Sequence, residues 1–352
     1  MPPVFVHLNG SINLPDTDTV FRELGERIGS LAPRYSDGET GDRGNWIFFQ
    51  LQRFWATPGL EQAGLVERDA KGAYHQAPKV RLADGADPDA IAWPNLGYAD
   101  AYLASWDRFR QLRDEGVIPA GTRFQVQYPT PLASINAWIV DEDQDRLEPS
   151  YTRALYADLH RLLDALPHDE IAVQWDVAVE FGILVGGFEV TATQTFDGIV
   201  ARLVDAVGQV PDDVPVGLHL CYGDYEHEHF EEPDSLALQV RVANRLVADA
   251  TRPIAWFAFT VPQDQRDAAY FAPLADLRVA ETTDLAFALV PYHPDRQAAG
   301  TTEAQVRLID DELGTRRWGV CTECGMGRVA REDVTGLLDL HRAIVAEAGV
   351  PA

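Results

Sequence analysis

Val216-Gly217-Leu218-His219-Leu220-Cys221-Tyr222-Gly223-Asp224 reads as a buried strand that ends in a glycine turn. A second run, Trp318-Gly319-Val320-Cys321-Thr322-Glu323-Cys324-Gly325, has the same form. Residues i and i+2 of a strand face one side, so His219 and Cys221 aim an imidazole and a thiol at one point. A helix pattern follows each run, over Asp234–Ala248 and Arg331–Ala348.

The same alternation runs through the chain. Further strands are expected at Val4–Leu8, Phe124–Tyr128, Ile171–Asp176, Ile254–Thr260 and Leu285–Pro291. Helices are expected from an Asp16 or Thr17 cap through Leu31, and over Ala99–Arg113, Tyr151–Leu166, Thr195–Val207 and Glu303–Leu313. Strands alternating with helices of this length imply a parallel sheet. Seven or eight such units predict an α/β fold, a single (β/α)8 TIM barrel. Residues 55–97 are poorly periodic and rich in Pro and Gly, and read as an inserted cap near the N-terminus, so that 1–352 is one domain.

A chain of 352 residues that is 46% hydrophobic supplies one large core of this kind. Its net charge of -26 argues against nucleic acid or an anionic membrane as partner. No apolar run approaches a membrane span, and Met1-Pro2-Pro3-Val4 lacks the basic start of a signal peptide. Three clustered cysteines, an odd number, fit a cytoplasmic protein with metal-binding or reactive thiols better than a disulfide scaffold.

In a (β/α)8 barrel the active site lies at the C-terminal strand ends. His7, Asp176, His219, Cys221, His293 and Cys324 all fall at or just beyond such ends. One imidazole and two thiols make a zinc-type set with an open position. The competing reading of each cysteine is a small buried hydrophobe. Cys321 and Cys324 form a C-x-x-C, but no second such pair exists to complete a structural knuckle.

Asp176 is either a structural acceptor or a carboxylate that holds a substrate amine or hydroxyl. His293 is either a general acid or a loop histidine held by Asp295. The Ser36–Trp46 loop is either a solvated turn or a substrate loop in which Glu39, Arg43 and Trp46 hold a ligand. Asp224–His229 reads as a solvated polar loop.

In chain order these motifs resemble the C-terminal catalytic barrel of cobalamin-independent methionine synthase, in the superfamily that also holds uroporphyrinogen decarboxylase. Tyr128-Pro129-Thr130-Pro131-Leu132-Ala133-Ser134-Ile135-Asn136-Ala137-Trp138 is similar to its Gly-Pro-Val-Thr-Ile-Leu-Asn-Trp segment. Gln174-Trp175-Asp176 looks like its Gln-Ile-Asp-Glu-Pro strand end. His219-Leu220-Cys221-Tyr222 is similar to its zinc-binding His-Met-Cys-Tyr. Val290-Pro291-Tyr292-His293-Pro294 sits where that family has a proposed acid. Glu323-Cys324-Gly325-Met326-Gly327-Arg328 looks like its Asp-Cys-Gly-Leu-Lys-Thr-Arg.

The resemblance implies zinc on His219, Cys221 and Cys324, and Asn136 and Tyr222 among the substrate-binding residues. It implies a methyl or other alkyl transfer from a small-molecule donor to a thiol acceptor. A folate or corrinoid methyl carrier, the latter on a corrinoid protein, is compatible with the sequence but not required by it. Two features depart from the family: the full-length synthase's N-terminal half is absent, and Trp256–Pro262 has no carboxylate where a glutamate ligand is expected. Water, substrate, Cys321 or Glu281 are the candidates for that place. The other readings are a lyase of the same superfamily, by zinc-thiolate epoxide opening or metal-free decarboxylation, and a non-catalytic zinc-binding barrel.

Overall fold

The computed structural model describes residues 3–63, 78–188, 190–223 and 228–347. In chain order it runs β1 (Phe5–Val6), α1 (Thr17–Arg27), β2 (Arg34–Ser36), α2 (Leu51–Ala56), β3 (Leu60–Gln62), β4 (Val80–Leu82), α3 (Tyr98–Asp114) and β5 (Arg123–Pro129). It continues α4 (Pro131–Trp138), α5 (Asp141–Ala165), β6 (Ile171–Val177), α6 (Val179–Leu184), α7 (Phe196–Gly208), β7 (Val216–Leu220) and α8 (Ala237–Asp249). The remainder is β8 (Trp256–Phe259), α9 (Ala268–Phe271), β9 (Asp284–Ala288), α10 (Thr301–Leu313), β10 (Gly319–Cys321) and α11 (Val334–Glu347).

Eight strands form one curled sheet in the order β1-β10-β9-β8-β7-β6-β5-β2, and every pairing in it is parallel. Beyond the strand ends, the β1 and β2 segments meet. Ser36 Oγ donates to the Gly10 carbonyl at 2.7 Å, and the Ile12 N–H donates to the Gly38 carbonyl at 2.8 Å. The sheet is therefore a TIM-like barrel. No helix among the described residues is long and apolar enough to cross a membrane.

The helices pack as their spacing requires. Asp16 caps α1 by accepting from the Thr19 N–H at 2.8 Å, and Val20, Phe21 and Leu24 face the core. Several elements depart from the expectation, among them the unexpected short helices α2, α4, α6 and α9. β2 is a strand where none was expected, and α5 begins at Asp141 rather than at Tyr151, running through Pro149. The expected insertion contains an antiparallel hairpin of β3 and β4, and 64–77 lies outside the described residues. The hairpin docks at the start of α5: the Val140 N–H donates to the Val80 carbonyl at 3.0 Å, and the Leu82 N–H to Asp143 Oδ2 at 2.9 Å.

The barrel interior is unusually polar. Gln174 is its hub: it bonds His7 Nε2 at 2.9 Å, accepts from Trp256 Nε1 at 3.2 Å, and donates to Asp176 Oδ1 at 2.9 Å. Room for Trp256 comes from Gly217, where an added Cβ would stand 2.0 Å from the indole.

Candidate metal centre

β7 delivers two donors by its pleat. His219 sits within the strand and Cys221 follows its last residue, on the same face. Cys324 arrives from the loop after β10. The ligand atoms of His219, Cys221 and Cys324 lie within 4.8 Å of one another, close enough to converge on one ion by side-chain rotation. Among the described residues no fourth His, Cys, Asp or Glu joins the group. One imidazole with two soft thiolates suits zinc.

Each donor is held. The register of β6 and β7 pairs Asp176 with His219, and Asp176 Oδ1 lies 3.4 Å from His219 Nδ1. His219 Nε2 lies 3.0 Å from the Glu323 carbonyl. Burial lowers the imidazole's pKa, but the Asp176 bond, the Cys324 thiol and the Glu323 carbonyl outweigh it and bring it to about 9. The Gly223 N–H reaches Cys221 Sγ at 3.3 Å, and the Cys324 N–H donates to Tyr292 Oη at 2.7 Å. The loop carrying Cys324 packs tightly on the loop after β1: a Cβ at Gly325 would meet Ser11 Oγ at 2.4 Å.

These donors line a cleft of about 530 Å3, counted out to solvent, at the C-terminal mouth of the barrel. Glu39, Trp46 and Asp176 share it. Glu39 and Trp46 both hold positive φ, 47° and 46°, a strained conformation for residues other than glycine. Burial, with Asp176 next, holds the Glu39 carboxyl well above the usual carboxylate range, against the opposing pull of Arg43.

Arg43 stands behind the cleft. Its Nη2 donates to the buried Asp37 carboxylate at 2.5 Å, and its guanidinium lies 4.5 Å over the Tyr102 ring. Asp37 also accepts from Ser105 Oγ at 2.6 Å and from the Glu39 N–H at 2.9 Å. Asn136, Tyr222 and His293 do not line the cleft either. Asn136 is buried in α4, where Lys79 Nζ reaches its carbonyl at 3.0 Å. Tyr222 is buried against Phe181, ring centroids 5.0 Å apart. His293 is half-buried on the loop after β9, and its neighbour Tyr292 is the residue that reaches the Cys324 loop.

Two candidates for the missing glutamate are excluded by position. Cys321 is buried at the end of β10 outside the donor group, and burial pushes its thiol up. Glu281 precedes β9 and lies at the opposite, N-terminal end of the strands. At the corresponding place after β8, Thr260 Oγ1 donates to the Leu220 carbonyl at 2.9 Å and the Glu323 carbonyl at 3.2 Å.

Of the polar loop after β7, Glu228 is exposed as the solvated reading expects and only His229 differs. Asp224–His227 lies outside the described residues, but the His229 side chain is only 5% exposed. It pairs with Glu232 at 3.1 Å and with Glu323 at 3.5 Å, beside Cys324.

Asn9, Ser11, Phe230 and Arg328 also line the cleft without having been singled out. The signal for Asn9 and Ser11 was their place directly after the first strand. Arg328 follows Cys324 by four residues.

No protein-family model matches the sequence, and no curated protein matches it. Solved structures do. A chain assigned as a vitamin-B12-independent methionine synthase from Listeria monocytogenes superposes with a TM-score of 0.61 at 11% identity, covering 100% of this chain and 99% of that one. A B12-independent methionine synthase from a Shewanella species, in complex with selenomethionine, gives 0.62 at 14% identity, covering 99% and 97%. The chain thus has, along its full length, the barrel fold of these methionine synthase structures.

Proposed function

We propose that the protein is a zinc-dependent alkyltransferase, most directly a methyltransferase, acting on a thiol acceptor. The observation that carries this reading is the His219, Cys221 and Cys324 cluster, opening into a cleft with no fourth protein ligand among the described residues. A bound zinc ion supplies the Lewis acidity that keeps a thiol deprotonated and nucleophilic at neutral pH. The likeness in fold to methionine synthase structures supports the same class of chemistry.

The chain's own residues have defined tasks in this scheme. Asp176 orients His219 and presents a carboxylate to the acceptor's polar group. Glu39 faces the same space with a carboxyl whose pKa burial raises, and it stands where it can hydrogen-bond the departing group. Trp46 and Phe230 give flat apolar walls, and Arg328 a positive charge, to the substrates. Arg43 acts through Asp37 by fixing the Glu39 turn. His293 stands outside the cleft, so its role as leaving-group acid requires the loop after β9 to move inward.

Arg328 is the sole arginine among the cleft's lining residues, which weighs against a metal-free decarboxylase with an arginine-rich cavity. The three-donor cluster weighs against a closed, non-catalytic zinc site. The test is X-ray absorption at the zinc edge with and without small thiols, beside methyl-transfer assays with a panel of donors. A third sulfur ligand on thiol addition and methylation of that thiol are expected. An unchanged zinc shell rejects the reading.

A further inference from the structure

A second cleft, about 1290 Å3 counted out to solvent, lies outside the barrel between α5, α6 and α7. Glu180, the second residue of α6, lines it and is 0% exposed, and neither of its carboxyl oxygens has a hydrogen-bond partner. The buried Thr130 hydroxyl in the same lining acts on this carboxyl and lowers its pKa, but the two do not meet in hydrogen-bonding geometry, and Thr130 Oγ1 makes no other bond. Buried polar groups are normally satisfied, so such a pair needs an explanation.

The other acidic groups of the cleft are engaged. Glu148 takes Arg202 Nη2 at 2.7 Å. Asp145 accepts the Thr191 and Thr193 hydroxyls at 2.6 and 2.7 Å, and Asp205 accepts Gln209 Nε2 at 3.3 Å. With Arg202 committed to Glu148, the cleft carries excess negative charge and leaves one buried carboxyl to be matched.

We infer that this cleft binds a small organic ammonium ion, its charged head on Glu180 and Thr130 and its carbon chain on the apolar walls. Pro131, Leu132 and Leu203 supply those walls. A bare divalent ion fits less well, because it needs several converging oxygens. Among the described residues, the sole group of three or more donors gathered closely enough is the zinc-type cluster. Burial raises the Glu180 carboxyl to about 7, with Thr130 and Arg202 opposing it, so an ammonium ion is matched by ionising a group already close to titration. The site is separate from the barrel cleft, although both are served by the β6–α6 connection: Asp176 and Ala178 line the inner cleft and Glu180 the outer one.

The test is isothermal titration calorimetry of the full chain with butylamine and with diaminobutane. Saturable binding is expected, weakening as pH falls through about 7 while the amines stay protonated. Glu180→Gln is expected to weaken it at least tenfold, with zinc content unchanged. Should that variant fail to fold, Asp205→Arg at the exposed rim adds a competing cation and is expected to weaken binding severalfold. Absence of saturable heat, equal binding by the folded variants, or displacement of the amines by magnesium or calcium chloride would each overturn the assignment.

Discussion

Asp176 and His219 occupy paired positions on neighbouring parallel strands, and Asp176 Oδ1 lies 3.4 Å from His219 Nδ1. The same oxygen accepts from Gln174 at 2.9 Å. A carboxylate behind an imidazole fixes its tautomer and ring plane and raises its basicity as a ligand. Asp176→Asn keeps the shape and removes the charge. We expect zinc affinity to fall roughly 10–100-fold, the usual effect of losing such a partner. Competition against a chromogenic chelator measures it, and an unchanged affinity would separate Asp176 from metal binding.

Arg43 and Asp37 form a buried pair beneath the cleft, their side chains 7% and 0% exposed. Arg43→Met leaves the Asp37 charge unmatched, and breaking a buried pair from one side costs about 3–5 kcal/mol. Arg43→Lys rescues only part, because an ammonium does not reproduce the planar contact with Tyr102. Urea unfolding reads both. A stable Arg43→Met protein with impaired substrate binding would instead make Arg43 a ligand contact.

His341 carries a pH dependence that is independent of the cleft. It is fully buried on α11; its Nδ1–H donates to the Leu337 carbonyl at 2.7 Å, and Nε2 has no partner. Burial, more than that bond opposes, lowers its pKa from 6.5 to about 4. The folded state therefore favours the neutral ring. The associated stability is present above pH 6.5 and is lost as pH falls through about 4. The full loss is about 3 kcal/mol. His341→Leu should flatten this part of the urea-midpoint profile of metal-free protein, and an unaltered slope would contradict the assignment.

Gly217 tests the packing that opens space for the polar core. Gly217→Ala forces a Cβ to within 2.0 Å of the Trp256 ring. Overpacking of this kind costs about 1–3 kcal/mol, and displacement of Trp256 also disturbs its bond to Gln174, the hub that holds Asp176. The unfolding midpoint should fall, together with zinc affinity. A midpoint equal to wild type would show that the ring has room to shift.

These relationships explain which parts of the molecule were readable from residues alone. The strand-helix alternation was legible because parallel barrel strands are apolar on their outer face and end in turns, as Val216–Leu220 does. The spacing of His219 and Cys221 carried their shared direction, and the barrel supplied the position of Cys324. β2 was hidden because it is three residues long and begins with Arg34, whose guanidinium stacks 4.2 Å over Trp256 and pairs with Asp284. The start of α5 was hidden by Pro149, which ordinarily breaks a helix. Charge alone suggested a solvated loop around His229, whereas Glu323, distant in sequence, draws its side chain into the mouth of the barrel. The engagement of Arg43 with Asp37, rather than with the cleft, likewise depends on folding that brings Tyr102 and Ser105 of α3 beneath the loop.

The central claim is that three side chains hold one zinc ion in an open site. Its most direct test is elemental analysis of protein purified without chelators, beside the Cys324→Ala variant. About one zinc per chain is predicted, as for a three-ligand catalytic site, with most of it lost in the variant while the fold persists. Wild-type protein that contains no zinc, and takes none up when zinc is added, would contradict the account.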